Sequence, residues 1–360
     1  MRWGCLAISA GAGWLGFYVM GAPLGWAVLP VFIACLEPRF RWRLAHVAIF
    51  HALVFVTSGW GLISITGSIL AGIGYAAFLV AVSALIAWRS IPLAVLVIAV
   101  VPWHPAQIAL FAPGFGALWA FVLLLVAAAH APRIWMRRIA VGTAAILPVF
   151  VSIADVPAPP DRPVVVMELR KIPAFSVDMA VEIAVSAAAP GETLVFGENL
   201  IDARSRSAWA AQWCRLAEEH DVELYSGVLR RDGASQIWRF GDEDGACRAR
   251  QVYDRVIGIP MVTSGWGFGD EQTEPDPGSM RDIDWMICFE AFVPLRWLGL
   301  LRSDQPGPVV IASNDTWLKP TPIDVLREKV GRSWSRLIDR PVLYTTHLDE
   351  ALLFGTEASR

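Results

Sequence analysis

Residues 282–294 read DIDWMICFEAFVP: an apolar run ends on Cys288, and Glu290 follows two positions later. Bounded by acids on one side and a proline on the other, the run reads as the end of a buried strand that carries a thiol. Runs of the same kind recur around it, at 163–169 (PVVVMEL), 193–199 (TLVFGEN), 222–230, 235–240, 247–257, 308–315 (PVVIASND) and 341–347 (PVLYTTH). Segments of helical periodicity lie between them, at 176–189, 205–220 and 322–339. Short apolar strands interleaved with amphipathic helices predict an α/β layered domain with its sheets covered by helices. No internal repeat of fixed period is visible.

Ahead of that domain the chemistry changes. Of the 360 residues, 55% are hydrophobic, and the mean hydropathy is positive, too apolar for an ordinary soluble chain. The excess sits before Ile153, where charged residues are scarce. Cutting this region at its polar, Pro and Gly interruptions predicts about seven spans of roughly 20 residues each, near 3–20, 24–37, 44–63, 67–88, 91–110, 113–131 and 136–153. The second is short, and the first two read equally as a helical hairpin. A cleaved signal peptide over residues 1–20 is the rival, but no small-residue cleavage pattern leads into a polar region.

The expected organisation is an all-α transmembrane domain over 1–153, a Pro-rich linker over 154–163 (ADVPAPPDRP), the α/β domain over 164–350 and a tail over 351–360. Arg2, Arg39, Arg41, Arg43, Arg89, Arg133, Arg137 and Arg138 fall in alternate loops, while the intervening loops carry no Lys or Arg. The positive-inside rule then places the N-terminus in the cytoplasm and the α/β domain on the far side, in the periplasm of a Gram-negative cell. His46 and His130 read as snorkelling side chains near the cytoplasmic interface. His51 and His104 stay open as functional candidates, and VPWHPAQ at 101–107 would break the fifth span.

A net charge of −3 with no basic run argues against direct nucleic-acid binding. The cysteines, Cys5, Cys35, Cys214, Cys247 and Cys288, show no C-x-x-C spacing, so neither a zinc site nor a disulfide framework is expected, and no cofactor.

Three chemically equipped residues stand where apolar strands run out: Glu198 after TLVFG, Arg255 in QVYDRV and Cys288 after DWMI. In α/β sheets such positions converge on the crevice that binds ligands. A thiol becomes a nucleophile when a base takes its proton and a cation meets the developing oxyanion, roles open to Glu198 and Arg255. The plainer alternatives are an inert core thiol at Cys288, a capping or solvated acid at Glu198, and a surface pair of Arg255 with Asp254 or Glu243.

Four motifs in one order, VFGEN, YDRVIGIP, MICFE and IASNDTW, resemble the segments that carry the Glu, Lys and Cys triad of the nitrilase (carbon-nitrogen hydrolase) superfamily. RLIDRPVLYTTH resembles the segment leading into its closing strand. The layout, membrane spans followed by this domain, is similar to that of the apolipoprotein N-acyltransferases. Within it the chain looks most like the plasmid conjugal transfer proteins of the TraB type.

The resemblance implies an αββα sandwich with a site built from Glu198, Arg255, Cys288 and Glu290. It further implies membrane lipid, a lipid or lipopeptide acyl substrate and conjugation envelope components as partners. The chain departs from the pattern where it matters. Arg255 stands in place of the Lys, and a guanidinium can hold an oxyanion but cannot shuttle a proton. Thr263 replaces the second acid of the acyltransferase loop, and the closing span of the acyltransferases is not expected after the last strand. Lys319 is the one lysine near the motifs, Asn314 and Asp315 read as turn residues, and Trp266 and Phe268 belong to a membrane lid or an ordinary loop. Two functions stay open: a cysteine-dependent acyl transferase or amidase, and a scaffold of enzyme ancestry. A transporter is disfavoured by the scarcity of charges and repeats in the spans.

Overall fold

The computed structural model describes residues 2–66, 68–88, 118–153, 157, 164–167, 177–198, 200–202, 206–229, 235–243, 246–255, 283–301, 307–314 and 323–345. The chain forms two compact units. One comprises Met1–Val156, Phe292–Leu301 and Trp317–Asp339, the other Pro157–Ala291, Arg302–Thr316 and Arg340–Arg360.

The first unit is helical: α1 (Arg2–Tyr18), α2 (Leu29–Ala34), α3 (Phe40–Thr66), α4 (Ile69–Trp88), α5 (Leu118–His130) and α6 (Ile134–Ile153) come from the first half of the chain. Two further helices, here α9 (Pro294–Leu300) and α10 (Ile323–Ile338), come from the second half. Among the described residues two helices, over Ile69–Trp88 and Ile134–Ser152, are long and apolar enough to cross a membrane, and only 28% and 22% of their apolar windows are buried. They present Leu70, Val80, Trp88, Ile139 and Phe150 outward. Residues 24–37 do not form the expected span. They fold as a 3-10 turn (Leu24–Val28) and the six-residue α2, because Pro23 precedes the turn and Pro30 sits in the first turn of α2. The expected span at 91–110 lies outside the described residues, as does the beginning of the one at 113–131.

Polar side chains between these helices find one another. His46, expected to reach the interface, is buried and shares a 2.7 Å hydrogen bond with Ser9, tying α3 to α1. His51 and Ser83 do the same between α3 and α4, also at 2.7 Å. Among apolar helices an imidazole needs such a partner, which the snorkelling reading left out. Gly16 lets α1 approach the 3-10 turn, since a Cβ there would fall on the main chain of Trp26 and Ala27.

The amphipathic α10 caps two of the other helices. Lys329 Nζ donates to the carbonyls of Leu15, Gly16 and Val19 at 3.0, 2.6 and 2.8 Å, at the C-terminal end of α1. Arg336 Nη2 donates to Ser152 O at 2.9 Å, at the C-terminal end of α6. Cations are the natural partners of these last-turn carbonyls. Trp334 stacks on Trp297 of α9 with ring centroids 5.3 Å apart.

The second unit is α/β. One sheet has the order β1 (Val164–Val166), β2 (Thr193–Val195), β4 (Glu223–Leu229), β5 (Ser235–Glu243), β6 (Ala246–Asp254), with β3 (Ile201–Asp202) also on β4. β1, β2 and β4 run parallel, and β5 and β6 add an antiparallel hairpin. The hairpin register runs from Gln236 and Asp254 to Glu243 and Ala246. The second sheet is parallel: β7 (Asp284–Ile287), β8 (Val309–Ala312) and β9 (Val342–Thr345). Strands β2 and β8 are buried along their whole length, as apolar runs between two layers should be.

Helices α7 (Val177–Ser186) and α8 (Arg206–His220) cover the first sheet, where Ala180, Val181, Trp209 and Trp213 pack with Leu194, Phe196, Leu224 and Phe240. Between the sheets, Tyr225 of β4 meets Trp285 of β7 at 5.1 Å between centroids. The unit by itself shows helix, sheet, sheet. The fourth, helical layer of an αββα sandwich is not among its described elements.

Cys214 of α8 and Cys247 of β6 form a disulfide across 33 residues, with Cα atoms 5.4 Å apart. This corrects the expectation of no disulfide: α8 packs against β5 and β6, and that tertiary contact, not spacing, brings the two sulfurs together.

Candidate active site

Strand β7 ends at Ile287, and the chain turns at once into a 3-10 turn over Cys288–Phe292. The turn is made by Cys288 itself, whose φ is +49°. Two other described non-glycine residues have positive φ, Asp221 and Asp339, and both follow the C-terminus of a helix, where the left-handed conformation is routine and Asp tolerates it. Cys288 has neither excuse. A left-handed non-glycine residue costs about 1–2 kcal/mol, and at the end of a strand such strain marks a side chain that the fold holds in a set position.

Glu198 follows β2 and is 2% exposed. Its Oε1 accepts a hydrogen bond from Ser235 Oγ at 2.8 Å, and its Oε2 accepts one from the main-chain N–H of Asn314 at 3.2 Å. Arg255, one residue past β6, forms an ion pair through Nη2 with Glu198 Oε1, with side chains 5% and 3% exposed. Its backbone N–H also donates to Ser235 O at 3.0 Å. Ser235 thus holds Glu198 by its side chain and Arg255 by its main chain. Asp254, one of the surface partners weighed for Arg255, accepts hydrogen bonds from Gln236 and Gln251.

Cys288 and Glu290 belong to the same unit. Burial pushes the Arg255 guanidinium below its usual range, an effect that the neighbouring Cys288 and Glu290 oppose electrostatically. Glu290 is fully buried. Its Oε2 accepts from the N–H of Ile287 at 2.7 Å and from the hydroxyl of Tyr253 at 2.8 Å.

Of the four residues singled out from the sequence, Glu198 and Arg255 form a buried ion pair, Glu290 bonds Tyr253 two residues before Arg255, and Cys288 sits on the bend that Glu290 bridges, all within the second unit. Arg255 Nε is buried without a hydrogen-bond partner among the described residues, so the guanidinium keeps donor capacity beyond its pair with Glu198. Chemically the group holds a thiol, a cation able to meet negative charge, and two acids. Among the described residues no cluster of His, Cys, Asp and Glu fits a metal ion.

Sequence reasoning passed over Ser235, Tyr253 and the main chain of Asn314. Tyr253 carried a signal, since it lies two residues before Arg255 in extended chain and so shares its face. Ser235 is found only from the hairpin register that sets β5 beside β6. Thr263, Trp266, Phe268, Asp315 and Lys319 lie outside the described residues.

No protein-family model matches the chain, and no curated protein matches it. Among solved structures it is similar to a cysteine-to-alanine mutant of the Nesterenkonia AN1 amidase from the nitrilase superfamily. That likeness is at 13% identity and a TM-score of 0.36, covering 54% of this chain and 79% of the amidase chain.

Proposed function

We propose that the chain is a membrane-anchored, nitrilase-like protein that carries out cysteine-dependent acyl chemistry, as an acyl transferase or amidase, at the outer face of a bacterial inner membrane. The observation that carries this reading is the buried ion pair of Glu198 with Arg255 in the same unit as Cys288, a buried thiol mounted at a strained strand end. Cys288 Sγ forms a C–S bond with the acyl carbon while the bond to the amine or alcohol leaving group breaks. The thiol proton passes to Glu198 and on to the leaving group, and Arg255 meets the oxyanion. An amine or water then cleaves the thioester and restores the thiol.

Two observations support the setting. The helices over Ile69–Trp88 and Ile134–Ser152 turn large apolar side chains outward, which suits lipid. A disulfide between Cys214 and Cys247 suits an oxidising compartment, and so an outward-facing second unit. On this reading the partners are membrane lipid, a lipid or lipopeptide acyl donor and conjugation components of the envelope, with no direct contact to nucleic acid. The resemblance of the motifs supports a role in plasmid conjugal transfer.

One observation favours the second reading, a scaffold without turnover. Glu198 already takes donors from Ser235, Asn314 and Arg255, a setting that opposes accepting a proton, and Arg255 cannot relay one as the family's Lys does. The experiment treats membranes with an activated acyl ester and maps adducts by mass spectrometry, beside conjugation frequencies for wild type, Cys288→Ala and a gene deletion. An acyl adduct on Cys288 and loss of transfer in Cys288→Ala favour the enzyme. Wild-type transfer in Cys288→Ala with loss in the deletion favours the scaffold.

A further inference from the structure

The strain at Cys288 needs something to hold it, and the structure shows one device within reach. Glu290 lies two residues past the thiol, is fully buried, and turns its Oε2 back onto the N–H of Ile287, the residue just before the thiol. The carboxylate therefore closes a side-chain bridge over the bend at Cys288. The same oxygen takes the hydroxyl of Tyr253 at 2.8 Å. Tyr253 belongs to β6, and two residues further along the same extended chain comes Arg255. In extended chain these two side chains leave on one face.

We propose that Tyr253 is a positioning residue for the thiol: through Glu290 it fixes the bend that carries Cys288 to the strand that delivers Arg255. Glu290 on this account reacts with nothing. It is the acceptor that joins the two elements, and its burial without exposure is affordable because two donors satisfy it. The inference rests on the reading of Cys288 as the nucleophile, and the test separates the two.

Full-length protein in detergent is mixed with p-nitrophenyl acetate, and the burst of p-nitrophenol is followed as the acetyl group moves to the Cys288 sulfur and p-nitrophenolate leaves. Wild type is expected to give a burst that Cys288→Ala lacks. Tyr253→Phe is expected to keep the burst amplitude and the half-saturating ester concentration while its limiting rate falls about tenfold or more, a split that general loss of folded protein does not produce. Glu290→Gln is expected to fall at least as far. A Tyr253→Phe burst at the wild-type rate, or one lowered only in amplitude, overturns the proposal.

If wild type gives no burst, the nucleophile reading fails and the positioning role for catalysis fails with it. Deuterium exchange at the Ile287 amide then decides whether the bridge itself exists. Faster exchange in both Tyr253→Phe and Glu290→Gln retains the bridge as a purely structural device, and unchanged exchange removes that as well.

Discussion

Replacing Glu198 with Ala should be among the most damaging single changes in the second unit. The carboxylate pairs with Arg255, and the two side chains are 3% and 5% exposed, so water cannot take over when the acid is gone. A buried ion pair broken on one side leaves an uncompensated charge, which costs about 3–5 kcal/mol. Ser235 Oγ and Asn314 N–H lose their acceptor as well, at about 1 kcal/mol or more each.

For a domain of this size each kcal/mol lowers Tm by about 2–4 °C, so the variant should melt on the order of 10 °C or more below wild type. Tryptophan fluorescence of the full-length protein in detergent reports it, because Trp209, Trp213 and Trp238 lie in the core of this unit. The decisive comparison is with a Glu198→Leu, Arg255→Met double variant, in which neither charge remains. That protein should recover a large part of the lost stability even though it carries more changes. A single variant melting within about 2 °C of wild type, or a double variant no more stable than the single, would refute the pairing as the organising contact of the site.

Three further outcomes follow from other parts of the molecule. Burial pushes Lys329 from 10.5 down to about 8. The unfolded chain therefore binds the extra proton between those values, so this group's contribution to stability rises with pH across about 8 to 10.5 and is level below. Melts of wild type and Lys329→Met should separate further in favour of wild type between pH 7 and pH 10, and a difference independent of pH contradicts this. Oxidised protein should yield three alkylatable cysteines under denaturation, Cys5, Cys35 and Cys288, and five after reduction. Losing the cross-link of 33 residues should cost about 3–4 kcal/mol by chain entropy, so an equal melt for Cys214→Ser speaks against it. Gly16→Ala should destabilise the helical unit by about 1–3 kcal/mol because its Cβ would meet main chain, whereas Gly4→Ala meets nothing and should be neutral or stabilising.

The elements of the second unit were legible because each is a local pattern. TLVF, DWMI and VVIA are apolar runs that become β2, β7 and β8, and the periodic segment at 322–339 becomes α10. Glu198, Arg255 and Cys288 could be picked out because strand ends are local too. Their partners could not. Glu198 meets Ser235 and Asn314 across 37 and 116 residues, contacts that depend on how the strands are ordered. Cys214 and Cys247 give no spacing signal, and His46 read as an interface residue because its partner Ser9 is 37 residues away. In the first unit, the amphipathic face of α10 was visible, but not that it would lay Lys329 and Arg336 on the ends of α1 and α6.

That last arrangement bears on how the protein is made. The carbonyls of Leu15, Gly16, Val19 and Ser152 wait for a helix that leaves the ribosome more than 170 residues after Ser152 is synthesised. The ends of the first and sixth helices therefore keep these carbonyls uncapped until the tenth helix has been made. Nascent chains halted before residue 323 should fall to proteases more readily than chains halted after 345.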